Sequence, residues 1–337
     1  MADMDLDVVG IGNAIVDVLS HADDRFLAAQ GLAKGAMTLI DAARADALYR
    51  AMGPAVEVSG GSAANTLAGL ASLGGRAGFV GKLGHDAFGE VFRHDIRAAG
   101  VDFATPPATS GAPTARCLVF VTPDAQRTMQ THLGACLELG PEDIDAGLVG
   151  RARVTYLEGY LWDPPRAKAA FRKAAALAHA AGRKVALTLS DSFCVERHRA
   201  EFRELVAGPV DILFANEAEI CALWQAADFD AALQATRGHC EVVALTRSAK
   251  GSVLLAGDEL HVIDAAPTGQ IVDTTGAGDL YAAGFLYGYA GGQSLRTCGR
   301  IAAIAAAEVL GHFGARPETP LEDLLPAGLG RRRPHPM

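Results

Sequence analysis

An α/β fold is predicted, a mostly parallel sheet sandwiched by helices with a small β-sheet lid. Three observations carry that expectation. From residue 154 onward, short apolar runs alternate with helical stretches, the rhythm of strands joined by crossover helices. Two earlier stretches, around 15–40 and 114–131, are strand-rich and break that rhythm, so they fit a second sheet built from two separate pieces of chain. The 337 residues are 50% hydrophobic and 20% charged, enough to bury a sizeable core and too apolar for a disordered chain.

Each element has its own reason. Asp7–Gly12 is an apolar run ending in glycines, a buried strand feeding a tight turn. Residues 15–19 and 36–40 are strand-like, and 46–52 is helical. The helix at 62–73 lines up Ala64, Leu67, Ala68 and Ala71 on one face and stops at Gly74-Gly75. A strand at 77–80 and a helix at 90–99 follow. The stretch 104–113 is rich in Pro, Thr, Ser and Gly and is expected to be a loop or a domain seam. Residues 116–122 and 127–131 flank Pro123-Asp124-Ala125 as a hairpin. The second half gives strands at 154–157, 185–189, 212–215, 242–246 and 252–255. Its helices fall at 166–181, 201–205, 217–224, 278–290 and 294–310. One domain over 1–327 results, with the lid drawn from about 14–42 and 112–132. Residues 328–337, with Arg331-Arg332-Arg333, form a flexible tail.

Composition narrows the partners. With 30 basic and 39 acidic residues the formal charge is −9, without the footprint of a nucleic-acid or anionic-membrane binder. No apolar stretch reaches the ~20 residues of a spanning helix, and the acidic N-terminus lacks the basic region of a signal peptide, so a cytoplasmic protein is expected. The six cysteines form no CxxC pair and are expected to be buried thiols in a reducing compartment. The ten histidines show no HExxH or HxH spacing.

The chemistry concentrates in a few stretches. Asp273-Thr274-Thr275-Gly276-Ala277-Gly278-Asp279 precedes an apolar helix, and glycines at a helix N-terminus form an anion cradle. Asp279, a carboxylate beside that cradle, suits a group that accepts a hydroxyl proton while phosphate charge is stabilised; the cradle predicts a lowered pKa for it. Gly60-Gly61-Ser62-Ala63-Ala64-Asn65 opens another helix, and Asn65 can donate to and accept from vicinal hydroxyls, although a glycine before a helix is common. Gly12-Asn13-Ala14-Ile15-Val16-Asp17 mimics a dinucleotide fingerprint but has Ile15 at the third glycine, which counts against a dehydrogenase. Asp17 sits among apolar residues, where a carboxylate is paired or meets a polar ligand. Asn216 and Glu219, at i and i+3, either organise Mg²⁺ through its waters or cap a helix. Gly81-Lys82 is followed by Leu83, so no P-loop is present.

Taken together, these residues resemble the ribokinase-like (PfkB) family of carbohydrate and nucleoside kinases over about residues 6–325, with the adenosine kinases as the most similar branch. The segments 187–193 and 210–219, and His132-Leu133-Gly134-Ala135, are similar to that branch. The resemblance implies an α/β core with a β-sheet lid, ATP as donor, Mg²⁺ and often a monovalent cation such as K⁺. By that likeness Asn13, Asp17, Gly61, Ser62 and Asn65 bind the acceptor, with Asp17, Asn65 and Gly61 on ribose hydroxyls. Tyr160 and Phe193 are nucleobase platforms. Asp279 is the base for the 5′-hydroxyl, Gly276, Ala277 and Gly278 form the anion hole, and Arg127 neutralises the transferring group from the lid. Asn216 and Glu219 organise Mg²⁺, and Thr246, Ser248 and Gly251 approach the ATP. Asp273 and Thr275 hold the monovalent cation, although Thr275 stands where adenosine kinases commonly carry Asn and matches the sugar-kinase branch. The resemblance therefore implies phosphorylation of adenosine to AMP or, as the alternative, of ribose, fructose or a related sugar. A catalytically silent sensor on the same fold would have no need of Asp279. A monomer and a homodimer are both open.

Overall fold

The computed structural model describes residues 5–124 and 126–329. Met1–Met4 of the acidic N-terminus, Ala125 of the hairpin turn and residues 330–337 of the expected tail lie outside the described residues.

In chain order the first elements are β1 (Leu6–Ile11), β2 (Ile15–His21), α1 (Asp24–Ala29), β3 (Met37–Leu39), α2 (Ala42–Ala51) and β4 (Val56–Gly60). Next come α3 (Ser62–Ser72), β5 (Ala77–Val80), α4 (Ala87–Ala98), β6 (Val101–Phe103), β7 (Ala115–Val121) and β8 (Arg127–His132). The second half runs α5 (Ala146–Arg151), β9 (Ala152–Glu158), α6 (Pro165–Ala180), β10 (Lys184–Thr188), α7 (Ser192–Ala207), β11 (Ile212–Asn216), α8 (Glu217–Trp224) and α9 (Phe229–Thr236). It closes with β12 (Val242–Thr246), β13 (Ser252–Ala256), β14 (Glu259–Ile263), α10 (Ala277–Ala290) and α11 (Leu295–Val309).

A nine-stranded sheet has the order β14-β13-β12-β11-β10-β9-β1-β5-β6. It is parallel from β12 to β6, and β13 and β14 are antiparallel at one edge. Crossover helices cover both faces, which is why β1 is buried at every position rather than alternating. One face packs Trp162, Phe171, Phe202 and Leu213 beneath α5 to α9. The other packs Leu67, Phe79, Phe92 and Phe285 beneath α3, α4 and α10, with Cys298 and Ala302 contributed by α11.

A five-stranded sheet, β3-β8-β7-β2-β4, lies apart. One face buries Val16, Val18, Leu118 and Phe120 with Leu27 of α1 and Leu48 of α2. The other carries Ile15, Leu19, Cys117 and Val119, with Met129 and Phe313 against them. The sequence places this sheet in 14–42 and 112–132, but it also takes in β4, which pairs antiparallel with β2 from Ile15↔Gly60 to Leu19↔Val56. Val-Glu-Val-Ser-Gly is a short edge strand, exposed at its first two residues, so the apolar signal is thin there.

Other boundaries shift. The helix expected at 201–205 is α7, sixteen residues long and capped by Asp191, whose carboxylate accepts from the Phe193 amide. The helices expected at 46–52 and 90–99 begin earlier, each behind an Asp N-cap, Asp41 and Asp86. Asp86 also accepts from the Thr114 amide and hydroxyl and so ties the 104–113 loop to α4. All six cysteines are free thiols; four are buried, while Cys221 and Cys240 are half-exposed rather than buried as expected. Among the described residues no helix is long and apolar enough to cross a membrane.

Candidate active site

One cavity of about 740 Å³ opens between the C-terminal ends of the parallel strands and the five-stranded sheet. Crevices at the carboxyl ends of parallel strands are the usual ligand sites of such folds. Its chemistry follows from four helix starts and three strands, β9, β2 and β8.

The first helix start is that of α10. Gly276 precedes it at φ +80°, and a Cβ there would lie 2.8 Å from Ala315, so the position demands glycine twice over. Gly278 has open space where a side chain would sit, which leaves the amides of the first turn facing the cavity. Asp279 lies in that turn. Its Oδ1 accepts from the Ser62 hydroxyl at 2.6 Å and its Oδ2 from the Asn65 side-chain amide at 3.1 Å. The expectation of a lowered carboxyl is overturned: burial pushes Asp279 upward, and the Ser62 and Asn65 hydrogen bonds with the charges of Arg127 and Arg316 only partly offset it.

The second helix start is that of α3. Gly61 sits at φ +89°, with the Asn13 carbonyl 2.3 Å from where a Cβ would be. This close approach brings Asn13, Ser62 and Asn65 to one wall. Beneath them lies Glu158, at the end of β9, which accepts from the Asn13 backbone and side-chain amides and from the Ala63 amide. Burial pushes its carboxyl up to about 7.

Asp17 projects from β2. A Cβ on Gly60 would lie 1.9 Å from its carboxylate, so the neighbouring strand is cut back to make room for it. Burial pushes Asp17 up to about 7, opposed by Arg316 and Arg127. Among the described residues nothing hydrogen-bonds its carboxylate, which faces the cavity.

At the third helix start, Asn216 and Glu219 form a reciprocal capping box on α8. The Asn216 Oδ1 accepts from the Glu219 amide, and Glu219 accepts from the Asn216 backbone and side-chain amides. The capping alternative therefore describes the contact, but the turn is not wholly solvated: Asn216 is exposed, whereas Glu219 is buried at the cavity wall, where burial pushes it up to about 7. Among the described residues no cluster of three His, Cys, Asp or Glu side chains could hold a metal by itself. Asn216 and Glu219 both line the cavity, and the lone pairs that their oxygens keep beyond the capping box fit the waters of a hydrated Mg²⁺ that would arrive on nucleotide phosphates, since Mg²⁺ keeps much of its water.

The fourth helix start is that of α7. Asp191 caps it, and beside it Ser190 has φ +69° and accepts from the Tyr160 amide. Tyr160 lines the cavity. Arg127 reaches across from β8 to the Thr274 carbonyl at 3.4 Å. Thr246, Ser248 and Gly251 bound the far end of the cavity, and Ala277 and Thr275 join Gly276 and Gly278 in its wall.

Two expected site residues are not brought to the cavity. Phe193 is exposed, and the Arg197 guanidinium, not a ligand, covers its ring at 4.4 Å. Asp273 is wholly buried behind the cavity wall; its Oδ1 accepts from the Thr275 amide and hydroxyl and its Oδ2 from the Gly314 amide. Asp273 and Thr275 thus hold the loop to itself. That set does not fit a dedicated cation ligand pair. Sequence reasoning missed Glu158 and Arg316. It also missed the apolar wall of Ile15, Met37, Leu39, Cys117 and Met129.

The class follows from this geometry: a two-substrate cavity with an anion cradle, a carboxylate beside it and a basic residue over it is that of a phosphotransferase acting on a small alcohol. Residues 36–322 match the pfkB family of carbohydrate kinases, and the chain belongs to that family. It is an ATP-dependent kinase. The chain is 56% identical to the adenosine kinase from Sinorhizobium meliloti, covering 94% of this chain and 98% of that one at a TM-score of 0.91. It is 52% identical to a probable sugar kinase protein from Rhizobium etli CFN 42, covering 94% and 97% at the same TM-score. An ATP-dependent ribose-1-phosphate kinase from Halopiger xanaduensis is 30% identical over 279 residues, 81% of this chain and 87% of that protein.

Proposed function

We propose that the protein transfers the γ-phosphoryl group of ATP to the 5′-hydroxyl of adenosine, giving AMP and ADP. The observation that carries the reaction is the placement of Asp279, held by Ser62 and Asn65 at the mouth of the Gly276–Gly278 cradle. The 56% identity to an adenosine kinase supports the acceptor.

Asp17, with its carboxylate turned to the cavity, and Asn65 and Gly61 take the ribose hydroxyls. This sets the 5′-hydroxyl against Asp279. Phosphoryl transfer asks mainly for alignment and charge neutralisation. The α10 amides and Arg127 receive the equatorial oxygens of the transferring group. Asp279 accepts the hydroxyl proton as the new P–O bond forms, and an upward-shifted carboxyl is the better acceptor. Mg²⁺ bound with the nucleotide supplies further neutralisation of the phosphates. Asn216 and Glu219 hold its water shell, and Thr246, Ser248 and Gly251 border the nucleotide. The five-stranded sheet shields the reaction from water, which competes as acceptor.

A sugar acceptor is the second reading. It is favoured by Thr275 and by the 52% identity to a probable sugar kinase. An ADP-release assay with ATP and Mg²⁺, run in parallel on adenosine, ribose and fructose, separates them. Turnover on adenosine alone is expected; turnover on a free sugar alone would replace the acceptor and keep the reaction.

A further inference from the structure

We propose that Arg316 is a positioning residue of the phosphoryl-transfer site: it fixes the Asn65 amide so that its donor faces Asp279, and it sets a permanent positive charge behind Asp17 and Asp279. The inference rests on the reading of Asp279 as the proton acceptor.

The geometry is a relay of three groups. The Arg316 Nε donates to the Asn65 Oδ1 at 2.9 Å, and the Asn65 Nδ2 donates to the Asp279 Oδ2 at 3.1 Å. An ionised carboxylate only accepts and a guanidinium only donates, so an amide placed between them has one workable orientation. Without Arg316 the Asn65 Oδ1 loses its donor, and the Asp279 hydrogen bond alone is left to hold the amide in place.

Charge supplies the second half. Asp17 from β2, Asp95 from α4 and Asp279 from α10 all attract the guanidinium. Facing Asp279 there are also Ser62 and Asn65 from α3, Arg127 from β8, Tyr156 and Glu158 from β9, Tyr160 and Glu219. Three of these are carboxylate neighbours when Asp17 is included, and Arg127 and Arg316 are the opposing cations. Burial pushes Arg316 down to about 10, so it remains charged at neutral pH.

One detail separates this arginine from a structural one. Its Nη2 is buried and has no hydrogen-bond partner among the described residues. An unsatisfied buried donor is costly, and packing alone gives no reason to keep one. The chain around it serves the same site: the Gly314 amide donates to Asp273, and Ala315 abuts Gly276. Three successive residues thus bind the Asp273–Thr275 loop, the anion cradle and the Asn65–Asp279 pair.

The test compares wild type, Arg316→Gln and Arg316→Lys in two readouts. In the first, kcat/KM for the acceptor is followed against pH. Arg316→Gln is expected to move the acid limb up by about one pH unit, because an opposite charge at this range is lost. Its kcat is expected to fall by up to ~100-fold through misplacement of Asp279. Arg316→Lys keeps the charge and should restore the limb while kcat stays reduced. The second readout needs no turnover: ¹³C NMR titration of the aspartate carboxyls, with Asp17→Asn and Asp279→Asn used for assignment. Both midpoints should rise in Arg316→Gln and hold in Arg316→Lys. Unmoved midpoints in Arg316→Gln, or equal movement in the two variants, would overturn the proposal. Absence of turnover by wild type on adenosine, ribose and fructose would overturn the functional reading instead, and the titration would still decide the charge role of Arg316.

Discussion

The two sheets meet at one cavity and contribute different things to it. The nine-stranded sheet ends in helix starts and loops whose glycines, amides and carboxylates are fixed by hydrogen bonds: Asp279 to Ser62 and Asn65, Glu158 to Asn13 and Ala63, Asn216 to Glu219. The five-stranded sheet offers a wall of Ile15, Met37, Leu39, Cys117 and Met129, with Asp17 of β2 and Arg127 and Thr131 of β8 as its polar members. Directional groups on a rigid edge specify a reaction. An apolar wall selects by shape and is weakly discriminating: a methylene is worth about 1–3 kcal/mol there. The comparisons divide in the same way, since relatives above 50% identity include both an adenosine kinase and a probable sugar kinase.

The sharpest way to break this division is at Asp279. Asp279→Asn is expected to lower kcat by about 10²–10⁴ and leave the acceptor KM near its original value; steady-state kinetics with each substrate varied in turn shows this. A large acceptor KM change with kcat intact would move Asp279 from chemistry to binding.

Next is Glu158, which belongs wholly to the large-sheet side. Its folded carboxyl, pushed up to about 7, lies above the ordinary value of 4.5, so the native state holds a proton that the unfolded chain has released. That contribution is fully present below about pH 4.5 and is lost as pH rises through about 7, on the order of 3 kcal/mol in all. Thermal unfolding of the ligand-free protein should therefore show a falling midpoint from pH 5 to pH 8. Glu158→Gln should make that slope shallower and leave the shares of Asp17 and Glu219, which burial raises likewise; an unchanged slope would remove Glu158 as a source.

Asp17→Ala tests the small-sheet side. The acceptor KM is expected to rise about 10- to 100-fold, the worth of a hydrogen bond to a charged group, with the ATP KM unchanged. Equal losses for both substrates would make Asp17 structural. The smallest effect belongs to Phe193. Because it lies outside the cavity beneath Arg197, Phe193→Ala should alter acceptor KM by less than about twofold.

Legibility in the sequence followed the same line between the sheets. Glycine runs at helix starts are local and strongly patterned, so the α10 start stood out from spacing alone, whereas the α3 start, a glycine before a helix, was set in the site by the family resemblance. The longer parallel strands were equally plain, because burial on both faces leaves unbroken apolar runs, whereas the three-residue edge strand β6 went unread. β14 went unread although Gly257-Asp258 between Ala256 and Glu259 is a two-residue hairpin turn, because Glu259 and His261 dilute the strand signal. Glu158 and Arg316 went unread for a different reason. Each is a lone charged residue whose partners lie 95 or more positions away, and nothing in the local pattern says that it is buried. Met37 and Met129 meet in one wall only because β3 pairs with β8. Phe193 shows the converse error, a plausible aromatic placed by likeness of segment, whose helix turns it to solvent.

The most direct test of the division between chemistry and selection pairs two variants in two measurements. Adenosine is titrated calorimetrically into Asp279→Asn and Asp17→Ala, and turnover of both is measured. The account predicts that Asp279→Asn binds adenosine as wild type does and scarcely turns it over, whereas Asp17→Ala loses affinity by about one to two orders of magnitude. Wild-type affinity in Asp17→Ala, or loss of adenosine binding in Asp279→Asn as large as its loss of turnover, would contradict it.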